Sequence, residues 1–384
     1  MNAIQELQSF RQEGSVMKKK VLKKALKGAA ALLGALILAV VIYLIYVFAA
    51  YHRLEDNLAL DVQSSGAGAS RTQLAAGEAL RISSANVGFG AYSDDYSFFM
   101  DGGKESRARS AQDVTENISG SVKAVADLDA DIMLFQEVDT DGTRSYHINE
   151  ETLALEQLAA NEKGDLCYTF APNYDSPYLF YPISEPHGKN EAGILTVSMI
   201  EMNSSIRRSL PIEDGFMKFL DLDRCYSKQR IPVDNGRELV VYNLHLSAYT
   251  SDPSTATNQL LLLFDDMLEE YEKGNYAVGG GDFNKDLLGH SPDYFGCGEL
   301  DDNWAMPIPE ELIPDAISLV APFDADNPVP SCRNADRPYG ADSFVLTVDG
   351  FLATENVSVL DAKVADTGFL YSDHNPVYMD FKLK

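Results

Sequence analysis

Acid, amide and imidazole side chains recur in this chain directly after short apolar runs. Asn86 closes the run Leu80-Arg81-Ile82-Ser83-Ser84-Ala85-Asn86, and Glu137 closes Asp131-Ile132-Met133-Leu134-Phe135-Gln136-Glu137. Asn243-Leu244-His245 ends a third run, and Val278-Gly279-Gly280-Gly281-Asp282-Phe283-Asn284 holds a fourth. The fifth is the late pair Val348-Asp349-Gly350 and Ser372-Asp373-His374-Asn375-Pro376. Taken singly, each has an ordinary use, such as a turn whose Asp and Asn bond their own backbone, or a satisfied structural histidine. Five together do not follow from packing, because each buried polar group costs free energy unless it finds a partner. An aspartate and an asparagine two residues apart, as Asp282 and Asn284 are, could orient a water and hold a developing negative charge. The glycines before Asp282 are expected to let the backbone come close to a ligand.

These runs are short, rich in β-branched residues and bounded by Gly, Pro and Asn, so they read as buried strands. In layered α/β folds ligands sit at the C-terminal ends of strands. Helical patterns intervene at about 108–128 and 149–161. The clearest helix covers 254–271, with Leu260, Leu261, Phe264, Met267, Leu268 and Tyr271 on one stripe and Gly274 ending it. Further strands are expected near 167–171, 192–199, 216–222, 238–246, 343–354, 357–364 and 376–383. Residues 287–340, rich in Pro, Asp and Gly, read as a long insertion beside the site.

Charge is unevenly spread. Residues 1–28 carry a net +5, leaving −32 of the total −27 for the rest. Non-specific nucleic-acid binding rests on Lys/Arg neutralising phosphates, so a processive, sequence-blind nuclease is disfavoured. Lys18, Lys19, Lys20, Lys23, Lys24 and Lys27 precede the 22 uncharged residues from Ala29 to Ala50. As a helix those span about 33 Å, enough to cross a bilayer core. The expected organisation is a cytoplasmic basic segment 1–28, a transmembrane helix 29–50, a flexible stalk 51–78 and a catalytic domain 79–384. Release at Val47-Phe48-Ala49 by signal peptidase is the alternative outcome, and Met17 an alternative start. The four cysteines have no C-x-x-C spacing. Cys297 and Cys332 flank the insertion and would pair, or all four stay thiols.

With Gln136-Glu137, Gly281-Asp282-Phe283-Asn284 and Ser372-Asp373-His374-Asn375-Pro376 in this order, residues 80–384 resemble the endonuclease/exonuclease/phosphatase superfamily. That superfamily includes pancreatic-type deoxyribonucleases, abasic-site endonucleases, sphingomyelinases and inositol polyphosphate 5-phosphatases. The resemblance implies a four-layer αββα sandwich. It implies Mg²⁺, with Mn²⁺ as substitute, held by Glu137 with Asn86 and Asp373. It makes His245 a donor to phosphate, Asp282 the residue that positions or deprotonates water, and Asn284 a brace for the pentavalent state. His374 would be polarised by Asp349. Two looser matches put Glu191 beside His245 and Arg230, in a segment just before a strand, near the phosphate. Val348 stands where many relatives carry an aromatic residue.

The resulting expectation is a single-pass, membrane-anchored phosphoesterase outside the cytoplasm, its partners a phosphoester substrate and the bilayer. Lipid or small phosphodiesters are preferred to nucleic acid. The alternatives are a surface nuclease of the same fold and a non-catalytic binding domain. His187, Arg107, Arg109 and Arg144 are expected in structural or surface roles.

Overall fold

The computed structural model describes all residues except 1, 162, 214, 220, 249–252, 299 and 301–302. The chain forms two compact units, Met1–Tyr51 and His52–Lys384. The first is one continuous helix, Asn2–Ala50, which takes in both the basic segment and the apolar run. Its apolar run is apolar all round rather than on one face, and it is long enough to cross a bilayer.

The second unit is built on two seven-stranded sheets. One runs Val357–Val364, Val377–Leu383, Ala79–Asn86, Ile132–Gly142, Asn190–Ser198, Leu166–Asp175, Gln63–Ser65 from edge to edge. The other runs Leu58–Leu60, Ser204–Ser209, Cys225–Pro232, Glu238–His245, Tyr276–Asp282, Asp349–Thr354, Ile317–Val320. Alternation along the strands sorts side chains between two faces. Leu80, Ile82 and Leu134 of the first sheet meet Val241, Val278 and Phe351 of the second in the central core. Met133 and Phe135 point the other way, onto Ile118 and Val122 of the helix Ala111–Ala126. Val240, Tyr242 and Leu244 face Leu260, Phe264 and Met267 of the helix Pro253–Glu272. The layers are therefore helix, sheet, sheet, helix, as expected.

Ser110 and Asn149 accept from the backbone N–H of Asp113 and Thr152, and so start the two helices packed on the first sheet. In each sheet one parallel pair lies at the centre: Ala79–Asn86 beside Ile132–Gly142, and Glu238–His245 beside Tyr276–Asp282. Parallel neighbours end at the same edge, so their terminal side chains share one rim.

Three expectations are corrected. Residues 52–78 are not a free stalk: Leu58–Leu60 and Gln63–Ser65 complete the sheet edges, and Leu74 is fully buried. Among the described residues of 216–222 no strand forms; a short turn of helix, Phe216–Phe219, precedes the strand Cys225–Pro232. Of the two outcomes left open for the cysteines, the structure has the thiols; Cys297 points at the carbonyl of Val345 and Cys332 at His374. The glycines before Asp282 serve contacts within the protein: a Cβ on Gly281 (φ +151°) would lie 2.0 Å from the Leu244 carbonyl oxygen, and one on Gly280 2.8 Å from the Phe351 ring. The insertion 287–340 also contributes structure, since Ile317–Val320 extends the second sheet.

Candidate active site

Strand register assembles the site. Asp282 pairs with His245 on one side and Asp349 on the other, and Asn86 pairs with Gln136 in the facing sheet. Glu137, at φ +57° in a bulge midway along Ile132–Gly142, and Asn284, at φ +50° just past Tyr276–Asp282, both take left-handed backbone. Such backbone is costly for non-glycine residues and persists where the surroundings hold it.

Asp282 is the hub. The Asn86 Nδ2 amide donates to it at 3.0 Å and to Glu137 at 3.0 Å. The Asn284 backbone N–H donates to its Oδ1 at 2.8 Å, while the Asn284 side chain is tied to the Leu246 carbonyl at 2.8 Å. Burial, with the Asp349 charge nearby, outweighs these donors and His374, and pushes the Asp282 carboxyl up to about 7.

His374 Nδ1 bonds the Asp349 carboxylate at 2.8 Å, and Nε2 lies 3.9 Å from Asp282. Burial alone would depress the His374 pKa; Asp349 outweighs it and holds the imidazole protonated. Ser331 Oγ in turn donates to Asp349 at 2.7 Å and accepts its N–H. His245 is pushed well down by burial and by the charges of Arg224, His374 and Arg144, so it is neutral. Its Nε2 stands 3.5 Å from Asp282 and 3.9 Å from Glu137.

Glu137 and Asp373 raise a second acidic wall. Burial leads and the Glu137 charge contributes in pushing Asp373 up to about 6, despite His374 and Arg333. Two oxygen ligands that repel each other suit a hard divalent cation with retained waters. The Asn86 Oδ1 accepts from Gly88 N–H at 3.0 Å and keeps a lone pair for the same ion. Asp282, Asp349 and His374 also bring ligand atoms within 4.8 Å of one another. In that trio the His374–Asp349 bond is short, at 2.8 Å, and His374 Nε2 is 3.9 Å from Asp282, an arrangement that could also pass a proton.

The family model for the endonuclease/exonuclease/phosphatase family matches residues 83–374, about three quarters of the chain. The chain belongs to the endonuclease/exonuclease/phosphatase family. Like that family, it is a hydrolase acting on phosphoester bonds. No curated protein matches it in sequence.

Among solved structures, the endonuclease/exonuclease/phosphatase from Beutenbergia cavernae DSM 12333 is 17% identical, with a TM-score of 0.53 over 79% of this chain and 72% of that one. ANGEL2, a 2′,3′-cyclic phosphatase, is 14% identical, with a TM-score of 0.51 over 85% and 98%. A second ANGEL2 structure, in complex with adenosine-2′,3′-vanadate, matches at 14% identity and a TM-score of 0.51 over 84% and 98%. These likenesses bear on the fold alone.

In this member of the endonuclease/exonuclease/phosphatase family the rim opens into a cavity of about 590 Å³, lined by Glu137, His245, Asp282, Asn284, Asp373 and His374 among others. Two residues expected here are elsewhere. Glu191 sits at the half-exposed end of its strand, bonded to Lys189 at 2.5 Å. Arg230 lies within the strand Cys225–Pro232, opposite Val240, five positions or roughly 17 Å before His245. It is bound to Glu238 and Glu270.

In their place the cavity takes three residues that the motifs did not reveal. Arg224 is buried, bonds Asp221 at 3.2 Å, and has Nε and Nη1 without a partner among the described residues. Arg144 pairs with Asp139 at 2.7 Å and lies 4.0 Å over the Phe89 ring. His187 bonds the Ser106 carbonyl at 3.0 Å and is neutral, burial carrying it down to about 3. Gln136, skipped as the partner of Glu137, ties the sheets together by donating to Asn243 at 2.8 Å.

Proposed function

We propose that this chain is a membrane-anchored, Mg²⁺-dependent phosphoester hydrolase. Its catalytic domain lies outside the cytoplasm, and it prefers a lipid-borne or small phosphodiester. The observation that carries the reading is Asp282 near 7, braced by Asn86 and Asn284, beside a histidine that Asp349 keeps protonated. A base titrating near the working pH and an acid on the same side of the cavity can share one substrate.

Asp282 orients water and takes its proton as the oxygen attacks phosphorus in line. His374 donates from Nε2 to a phosphoryl oxygen, its tautomer fixed by Asp349. Neutral His245 offers one N–H to another oxygen, and Asn284 keeps Asp282 from turning. Arg224, with two nitrogens unpartnered among the described residues, meets the substrate's negative charge. Glu137, Asp373 and Asn86 would hold the Mg²⁺, for which Mn²⁺ could substitute. When bound, the ion supplies positive charge to the transition state.

The anchor reading is supported by the lysine block ahead of the long apolar helix, with the positive end in the cytoplasm. The preference for lipid or small esters is supported by the acidity of the domain. A small nucleotide ester is the second reading, favoured by the aromatic wall of Tyr92, Phe98, Tyr181 and Trp304 and by the nucleotide vanadate bound to ANGEL2.

The test is full-length protein in detergent with Mg²⁺, assayed on phospholipids, inositol phosphates, 2′,3′-cyclic nucleotides and DNA. Turnover of at least one ester, abolished by EDTA and restored by Mg²⁺, is expected. Inactivity on all of them, with or without EDTA, overturns the proposal.

A further inference from the structure

We propose that the hairpin loop between Leu179 and Gly188 seats the mouth of the active site on the surface of the bilayer that holds the chain's own apolar helix. The proposal rests on reading that helix as an anchor, and two further observations lead to it.

The first is a cluster of apolar side chains facing water. Leu179 and Gly188 close the loop with reciprocal backbone bonds of 3.0 Å, and the His187 N–H bonds the Tyr181 carbonyl. Glu185 accepts from the Ser106 N–H at 2.7 Å, so the loop is pinned at its base. Yet Phe180, Tyr181 and Ile183 are 55%, 57% and 89% exposed. The Tyr181 ring stands 5.6 Å from Phe99, beside exposed Met100. Scattered exposed apolar residues are ordinary, but a contiguous group marks a contact surface. Here Leu179, Tyr181, Phe99 and Met100 also line the catalytic cavity, so the group lies at its mouth.

The second is the point where the anchored chain joins the domain. Arg53 bonds Asp223 at 2.6 Å and the Leu210 carbonyl at 3.0 Å, and the Leu54 N–H bonds Asp223 at 2.5 Å. Asp221, Leu222 and Arg224, on either side of Asp223, line the same cavity. Arg53 follows Ala50, the last residue of the apolar run, by three positions, at most about 10 Å of extended chain. With residues 52–78 bound to the sheets, nothing longer intervenes. The link from the apolar helix to this part of the domain is therefore no more than about 10 Å of chain.

A link that short argues for lipid rather than a protein partner as the occupant. The loop 178–186 has no Lys or Arg, and the chain beyond residue 28 carries −32. Attachment is thus by apolar insertion into the interface rather than by attraction to anionic headgroups. Phosphoester headgroups in that surface would meet the cavity directly.

The test uses the full chain reconstituted in phosphatidylcholine vesicles, which should stay membrane-bound through an alkaline carbonate wash. Loss in the wash removes the anchor and the proposal together. The indole introduced by Ile183→Trp should be quenched about twofold or more by lipids brominated high on the acyl chain, and molar salt should not change this. Leu360→Trp, on the exposed strand Val357–Val364, should stay unquenched, and parent protein supplies the Trp304 background. An unquenched indole at 183 overturns the proposal.

A Phe180→Ser/Ile183→Ser double variant should hydrolyse dispersed bis(4-nitrophenyl) phosphate within about twofold of the parent rate, yet lose about tenfold on vesicle phospholipid. Equal losses on both would make the loop a support of the site and overturn docking. A parent inactive on vesicle lipid would sink the lipid-substrate reading alone, because quenching reports docking without turnover.

Discussion

Two buried clusters of charge, one between the strand Cys225–Pro232 and the helix Pro253–Glu272 and one at the rim where the two sheets meet, are built on opposite rules. Under the helix Pro253–Glu272, Lys228 bonds Asp266 and, at 2.8 Å, Glu270, while Arg230 reaches Glu270 at 2.5 Å. Tyr226 donates to Asp266 at 2.6 Å and Asn275 to Glu270 at 2.9 Å. Burial would raise the Glu270 carboxyl, but Arg230, Lys228 and Asn275 carry it down to about 2. At the rim, by contrast, Asp282, Asp349, Glu137 and Asp373 crowd together. His245 Nδ1 and Asp349 Oδ1 have no partner among the described residues. Asp282 and Asp373 move up, to about 7 and about 6. Paired opposites hold the fold; gathered like charges are kept ready for a ligand, at some cost in stability.

The same carboxylate-to-amide change should therefore act in opposite directions in the two clusters. Asp282→Asn should lower kcat by about 10³-fold, or about 4 kcal/mol. Its Tm in metal-free buffer should equal or exceed that of the parent. Because the folded pKa of Asp282 is raised, its carboxyl favours the fold below about pH 4 and loses that contribution as pH rises through 7. The Tm gain should thus appear near pH 8 and vanish near pH 4, by calorimetry. A lower Tm at pH 8 would break the comparison.

Glu270→Gln should leave kcat within about twofold and cost on the order of 3 kcal/mol of stability, since Lys228 and Arg230 lose the buried counter-charge they share and keep only Asp266 and Glu238. The folded pKa of Glu270 is depressed, so its contribution is complete above about pH 4.5 and is lost as pH falls towards 2. The deficit measured by urea unfolding should shrink over that window.

Asp349→Asn should slow turnover about 10²-fold, because His374 loses what holds its charge and orientation. Arg224→Ala should raise KM about tenfold with kcat nearly kept. An unchanged KM would place Arg224 with the structural charges instead.

Strand-end motifs were legible because each is local: a short apolar run followed by its polar terminus already places Asn86, His245 and Asp282 on a rim, while Glu137 reaches it from a bulge inside its strand and Asp349 from the start of an antiparallel one. The layered fold followed from alternation and from the stripe at Leu260, Phe264 and Met267. Arg224 was not legible. It lies six residues from the arginine chosen, and in a strand six residues cover about 20 Å. Only the true start of Cys225–Pro232 tells which arginine reaches the cavity. Glu191 failed for a similar reason, since its register sets it opposite Asp141 and Asp175, near Lys189.

The edge strands Leu58–Leu60 and Gln63–Ser65 are too short to show a period, so a polar segment passed for a stalk. Arg144 and His187 owe their place to Phe89 and Tyr174, which stand far from them in the chain.

Because Asp282 faces His245 and Asp349 across hydrogen-bonded neighbours, backbone ladders about 4.8 Å apart set the spacing of the reacting groups. Such spacing changes in whole steps. Removing one residue from Tyr276–Asp282 would exchange the two faces of the strand and turn its carboxylate out of the cavity. New substrates can therefore be accommodated only by redrawing the loops around an unaltered frame.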